Sequence, residues 1–463
     1  MKIKTCLILL VLTVNLYANK IVIVEGTITN PNNKIVRIEY NHTLLDKKKI
    51  YYDKIDDNGN FRIEFNMDYP QDVELKYGKD YLTLYLHPGD STFLSFKTND
   101  IKNSIIIHGD NAQMNIQLQN LINGYRKLLI SQKFDEKDNK LDPAEYKLFI
   151  KQFLSQTDSL VQSLNTGEEI SEWMKNYALY DCLEELFDNG RDNKIPYSDS
   201  YFNFIEQYET NTSSGLNCTK YSDFINVYFY YQCFKINLFE DLKQYYIDKD
   251  YYAILKAFFD NFQENTNFTT KCVLTRQLYY YIGKSVNSVD SISKDYFSVL
   301  GNEMMCEIII REIENYKTQK KKLFTLEELS NHEFIGTIFS DIRKKHLGKT
   351  IYIDGWQSCP YNYKRFPYAE KLRSELKNKE IAFVYICTPD NDDLWQENIM
   401  KYKIDGDNYK LSDDQKIVLY SLFNYEHGTY NMIINKNGVI IDPDADDPNS
   451  ETIKQQLLTI IEQ

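Results

Sequence analysis

Long apolar runs are scarce in this chain. Beyond its first residues nothing approaches 18 uninterrupted apolar positions, so no later segment is fit to span a bilayer as a helix. Glycine and proline are sparse too, 17 and 10 among 463 residues, which excludes collagen-like and low-complexity architectures. The six histidines (His42, His87, His108, His332, His346 and His427) form no paired ligand motif, so neither a metal nor another cofactor is expected. No dense stripe of Lys or Arg occurs. The nearest is Lys320 to Lys322, read as a solvated helix end. At a formal charge of −13 the chain lacks the electrostatic footprint of a nucleic-acid or anionic-membrane partner.

What is present is core-forming material. The chain is 43% hydrophobic and 14% aromatic, with 38 tyrosines, and its length suggests roughly two to four domains. Lys2 and Lys4 precede an apolar run from Cys6 to Val14, and Ala18 stands before Asn19. That layout reads as a signal peptide over 1–18, so an exported, periplasmic or envelope protein is expected. Its removal takes Lys2 and Lys4 away and lowers the formal charge from −13 to −15.

Removal of Cys6 leaves Cys182, Cys218, Cys233, Cys272, Cys306, Cys359 and Cys387, an odd number with no metal-like spacing. The first five are expected to be small buried hydrophobes.

The hydrophobic period changes twice. Over 20–109, Ile21–Ile28, Ile35–Tyr40, Phe61–Phe65, Val73–Tyr77, Tyr81–Leu86 and Thr92–Phe96 largely alternate apolar with polar. Turn signals stand at Asn58-Gly59 and Pro88-Gly89-Asp90. An antiparallel β sandwich or barrel is expected there. Over 111–345 the period becomes about 3.6, as in Ile116, Leu118, Leu121 and Ile122, and an all-α region without a chemical motif is expected. Over 348–463 strands at Thr350–Asp354, Ile381–Cys387, Tyr430–Asn435 and Val439–Ile441 join helices at Tyr363–Leu376 and Glu451–Ile461, an α/β pattern.

Gly348-Lys349-Thr350-Ile351-Tyr352-Ile353-Asp354-Gly355-Trp356 resembles the first strand of TlpA/ResA-like thiol–disulfide oxidoreductases, which leads into Trp-Cys-x-x-Cys. Cys359 and Pro367 keep that family's spacing from first cysteine to helix proline, and Ile433 to Gly438 is similar to its Leu-Ile-Asp-Lys-Asp-Gly hairpin. Pro448-Asn449-Ser450 sits where a Pro-Ser pair often begins the last helix. The front, with Asp57 to Phe61 and Leu86 to Asp90, is similar to the domain preceding the thioredoxin module in many Bacteroidota envelope proteins.

The resemblance implies a thioredoxin-like C-terminal fold and protein thiols or disulfides as partners. It also exposes departures. The second cysteine falls on Asn362, the tryptophan before the first on Ser358, and the cis-proline on Thr429 after Gly428. One residue is missing between Trp356 and Cys359. By resemblance, Cys359 is the candidate nucleophile and Asp354 a relic of the acid that helps deprotonate a second cysteine. Without its proline, Thr429 is expected to take a trans bond. Cys387, ending the neighbouring strand, is weighed as a second thiol and preferred as a core residue.

Three readings stay open: a degenerate binding or scaffold module, a thiol–disulfide oxidoreductase acting through Cys359 alone or with Cys387, and a ligand-binding envelope protein. The acidic string Asp442, Asp444, Asp446 and Asp447 lacks the Gly and Glu of a calcium loop and reads as a solvated turn. Nothing in the sequence sets an oligomeric state.

Overall fold

The computed structural model describes residues 21–134, 141–208, 212–262, 264, 267–284, 296–319, 324–357, 359–388, 392–423, 425 and 429–462. The signal-like segment and the lysine run at 320–322 lie outside the described residues. The chain divides into two compact units, Met1–Tyr316 and Lys317–Gln463.

The first unit opens with strands β1 (Ile21–Thr29), β2 (Ile35–His42), β3 (Lys47–Lys54), β4 (Asn60–Asn66), β5 (Gln71–Tyr77), β6 (Asp80–Leu86), β7 (Ser91–Lys97) and β8 (Ile106–Gly109). They form two sheets, ordered β4-β1-β7-β8 and β3-β2-β5-β6. Alternation does what the sequence requires of it: in β4, Phe61, Ile63 and Phe65 are buried while their neighbours face solvent. Apolar residues of both sheets, Val24 and Leu94 from one and Ile38 and Leu84 from the other among them, share one core.

The expected antiparallel arrangement needs one correction. β1 pairs with β7 in parallel, Ile23 opposite Ser91. The two strands are separated by most of the β region, which supplies the long connection a parallel pair needs.

Helices Ala112–Gln132, Pro143–Leu164, Glu168–Asp192, Lys220–Lys235, Leu238–Ile247, Tyr251–Phe262, Phe268–Lys284 and Glu303–Gln319 make the middle region. Their starts are legible where caps are good. Asp142 accepts from the backbone of Ala144 and Glu145, Glu145 closes a capping box, and Pro143 takes the first helical position. Cys182, Cys218, Cys233 and Cys272 are buried free thiols, as expected, whereas Cys306 is only partly buried, and burial pushes the Cys182 and Cys218 thiols up.

Polar struts tie these helices to the β region of the same unit. Asp72 accepts from Trp173 Nε1 at 3.2 Å and from the Thr219 backbone N–H at 2.8 Å. Arg276, only 4% exposed, donates Nε to the Thr43 carbonyl at 2.9 Å and Nη1 to the Ser222 carbonyl at 3.0 Å.

The second unit is built on strands β9 (Thr350–Trp356), β10 (Ile381–Cys387), β11 (Asp407–Lys410), β12 (Tyr430–Ile434) and β13 (Ile440–Asp442), ordered β11-β10-β9-β12-β13. β9 lies parallel to β10 and antiparallel to β12, and β10 lies parallel to β11. Every residue of β9 is buried, as a central strand covered on both faces must be.

Helices Leu326–Ser330 and Gly336–His346 fall within this unit's bounds, although their period alone reads as an extension of the helical middle. The segment before them is stitched to the last hairpin. Ile440 N–H donates to the Phe324 carbonyl at 2.9 Å and Leu326 N–H to the Gly438 carbonyl at 2.8 Å.

Gly355 sits opposite Tyr430, and a Cβ on it would stand 2.5 Å from the Tyr430 ring. That ring is held by stacking on Tyr425, centroids 4.6 Å apart, and has no easy retreat. Gly355→Ala is therefore expected to destabilise the unit by about 1–3 kcal/mol. Urea unfolding of the variant measures it, and an unchanged midpoint would refute the packing argument.

Candidate functional site

Three elements converge at the carboxyl end of β9. The strand delivers Asp354 and Trp356, and the chain then turns into the helix Pro360–Leu376. Cys359 is the residue just before that helix, extended at φ −140° and ψ 157°, with Pro360 at the first helical position. Proline is preset for a helix start and lacks the N–H that would otherwise go unpaired there. The helix contains Pro367, and Cys359 stands at its cap without a side-chain capping hydrogen bond, while the Tyr363 backbone N–H donates to the Cys359 carbonyl at 3.2 Å.

Cys359 is partly exposed and free. Its sulfur accepts a hydrogen bond from Asn362 Nδ2 at 3.0 Å, one helical turn on. Asn362 in turn accepts from Arg365 Nη1 at 2.9 Å through Oδ1. Cys359, Asn362 and Arg365 are spaced by three, so they stack along one side of the helix.

Arg365 is the residue sequence reasoning missed. It is 3% exposed and its Nη2 reaches Asp354 Oδ1 at 3.1 Å, Asn431 Oδ1 at 3.0 Å and Asp447 Oδ1 at 2.7 Å. Asn431 Nδ2 donates to Asp447 Oδ1 at 2.8 Å, closing the cluster. A buried guanidinium is tolerated only when paired and hydrogen-bonded, and here it is both.

This cluster changes two sequence expectations. Asp354 stands as counter-ion to Arg365. Asp447 is not simply part of a solvated turn, because it is drawn inward by the same guanidinium. The rest of the acidic string is engaged locally: Asp442 accepts from Gln456 Nε2 at 2.8 Å and Asp446 from Ser450 Oγ at 3.1 Å. Among the described residues no group of three or more His, Cys, Asp or Glu side chains gathers as a metal site. Burial pushes the Asp354 carboxyl up to about 6, and Arg365, shared with Asp447, offsets this only in part.

The remaining predicted positions separate. Cys387 ends β10 level with Trp356, wholly buried among Trp356, Phe366, Ala369, Tyr385 and Ile404, and is not bonded to Cys359. Trp356 packs edge-on to Phe366, centroids 5.2 Å apart. Thr429 precedes β12, whose first residue faces Gly355, and Gly428 lies outside the described residues, as does their bond. A sequence signal for the cluster exists in hindsight. Asn431 is the single polar residue in the otherwise apolar, fully buried β12.

Chemically, the arrangement offers one thiol at a helix start, with a side-chain donor aimed at its sulfur. Among the described residues no helix is long and apolar enough to cross a membrane.

No family model matches the chain, and no curated protein does. Solved structures do. The chain is similar to a putative thiol-disulfide oxidoreductase from Bacteroides vulgatus, at 19% identity over 26% of this chain and 78% of that one, TM-score 0.24. A putative thiol:disulfide interchange protein DsbE from Chlorobium tepidum aligns at 17% identity over 26% of this chain and 84% of that one, TM-score 0.23. A thioredoxin-like protein from Bacteroides caccae aligns over a longer stretch, 60% of this chain and 93% of that one, at 13% identity and TM-score 0.25.

Proposed function

We propose that the C-terminal unit is a degenerate member of the TlpA/ResA-like group that works through one thiol, capturing disulfide partners at Cys359 without releasing them unaided. The observation that carries this reading is the hydrogen bond from Asn362 Nδ2 to Cys359 Sγ at 3.0 Å, where a second thiol would have to stand. The Cys359 thiolate attacks one sulfur of a partner disulfide, forms a mixed disulfide and expels the other sulfur as a thiolate. An amide cannot perform the second attack, so an external thiol must take the captured sulfur and return Cys359 as a thiolate. A module that holds partners in this way suits a binding or scaffold role better than autonomous turnover.

Cys387 is given a packing role, because its burial among aromatic side chains leaves no path for a partner disulfide. The signal-like segment 1–18 supports export to the periplasm or cell envelope. The shared core of the two N-terminal sheets supports a sandwich over 20–109.

The test uses the full chain with insulin as the disulfide substrate and dithiothreitol as the external thiol. Wild type is expected to form a stoichiometric mixed disulfide with insulin before dithiothreitol is added, which Cys359→Ser abolishes, and once it is added to reduce insulin no faster than dithiothreitol alone. Asn362→Cys places a second thiol within disulfide reach and is expected to raise insulin reduction roughly tenfold or more. Wild-type turnover that disappears on Cys387→Ser would overturn the proposal in favour of a two-cysteine couple.

A further inference from the structure

An asparagine beside a sulfur can present either end of its amide. One end, the oxygen, only accepts, and the other, the NH2 group, only donates. Which end faces Cys359 decides what the site can do, and the answer lies one turn further along the helix.

A guanidinium has five N–H donors and no acceptor, so only the amide oxygen can face Arg365. The Nη1–Oδ1 bond of 2.9 Å therefore forces Asn362 Nδ2 toward Cys359 Sγ, where it sits at 3.0 Å. Arg365 has no freedom to release the amide. Its other terminal nitrogen is held by Asp354 on β9, Asn431 on β12 and Asp447 before the last helix. Asn362 and Arg365 are both almost wholly buried, so water does not compete for the amide.

We propose that Arg365 is a positioning residue for Cys359, acting through Asn362 to keep a hydrogen-bond donor on the sulfur. This rests on the lone-thiol reading above. The consequence falls on the release step. When an external thiolate attacks the partner's sulfur in the mixed disulfide, a new disulfide forms between those two, the Cys359 S–S bond breaks, and its electron pair leaves on Cys359 Sγ. The donor on Asn362 meets that developing negative charge, and a donor fixed beforehand needs no reorientation during the reaction.

The test is the rate at which dithiothreitol releases glutathione from Cys359, followed at that peptide by mass spectrometry in the full chain. Arg365→Met is expected to slow release about tenfold, and Arg365→Lys, which can still donate to Asn362 Oδ1, to recover much of it. In an Asn362→Ala background, where no amide is left to orient, Arg365→Met is expected to add nothing further.

Equal slowing by Arg365→Met in both backgrounds would overturn the proposal and assign Arg365 to fold maintenance alone. Should Arg365→Met fail to fold, Arg365→Lys against Asn362→Ala decides: additive effects refute the relay. A wild-type Cys359 that takes up no glutathione would instead overturn the lone-thiol reading, and the positioning role with it.

Discussion

Arg276→Met is expected to destabilise the first unit by about 3–5 kcal/mol, enough to erase a large share of a domain's stability. The guanidinium is buried and satisfies the carbonyls of Thr43 and Ser222, the Ser222 hydroxyl and the Asn226 side chain. Methionine fills the volume but donates nothing. The two carbonyls then stay buried without their donor, at about 1–3 kcal/mol each, and Asp46, 3.7 Å from the guanidinium, loses its nearest cation. Urea unfolding of the full chain, followed by far-ultraviolet circular dichroism, reports this unit because most of the helix is in it. Lys256→Ala, which removes an exposed ion pair with Asp260, serves as the control expected to move nothing measurable. A midpoint for Arg276→Met that matches this control would show that the strut is idle.

The second large effect depends on pH and has a definite sign. Asp354 has its carboxyl pushed up to about 6 from an ordinary value of 3.8. Burial is the main cause. Arg365 works against it, and Asp447 adds repulsion. The folded state therefore binds the Asp354 proton more tightly than the unfolded state. Between pH 4 and 6 the folded chain holds that proton while the unfolded chain has lost it, so stability falls as pH rises. The contribution is fully present below about pH 4 and gone above about pH 6. Its size is on the order of 3 kcal/mol for a shift of this extent.

The carboxylates Asp341 and Glu375 are held below their usual range by their hydrogen-bonded partners and push the other way, so the comparison must isolate Asp354. Asp354→Asn does so. The difference between wild type and variant should change with pH across 4–7, with the wild type losing ground on the alkaline side. Urea-dependent exposure of the buried Cys387 to a dithiodipyridine pulse reads this unit separately from the first. A difference that stays constant over the range would contradict the assignment.

How far the sequence reveals this molecule depends on which force shapes each part. Alternation marks β1, β4, β5 and β7 because one face is buried and the other wet. β3 escapes the same reading. Its sequence, Lys47-Lys48-Lys49-Ile50-Tyr51-Tyr52-Asp53-Lys54, is heavy with lysine, and it lies at an edge of its sheet, where lysine guards against unwanted pairing. The parallel pairing of β1 with β7 is equally invisible, since no local pattern encodes which distant strand becomes a neighbour.

At the site, the helix start after Cys359 is legible from Cys359-Pro360 and the period that follows, because caps and prolines act locally. The Arg365 cluster is not. It draws one residue each from β9 and β12, a pair from the helix and one from the loop at Asp447, and no short window of sequence contains them together.

The stitching of Phe324 and Leu326 to the final hairpin has a consequence for the order in which this unit can be made. β9 sits in the middle of its sheet, yet its partner β12 is translated some way later, and the strap at Thr325 must wait for Val439. The contacts that complete the sheet join its earliest and latest segments, the kind of long-range closure that folds slowly. A ribosome-bound chain therefore carries β9 and β10 with one border of the sheet unsatisfied until β12 and β13 have been made. Completion is a late, concerted event. Until then the apolar central strand is the part most in need of a chaperone.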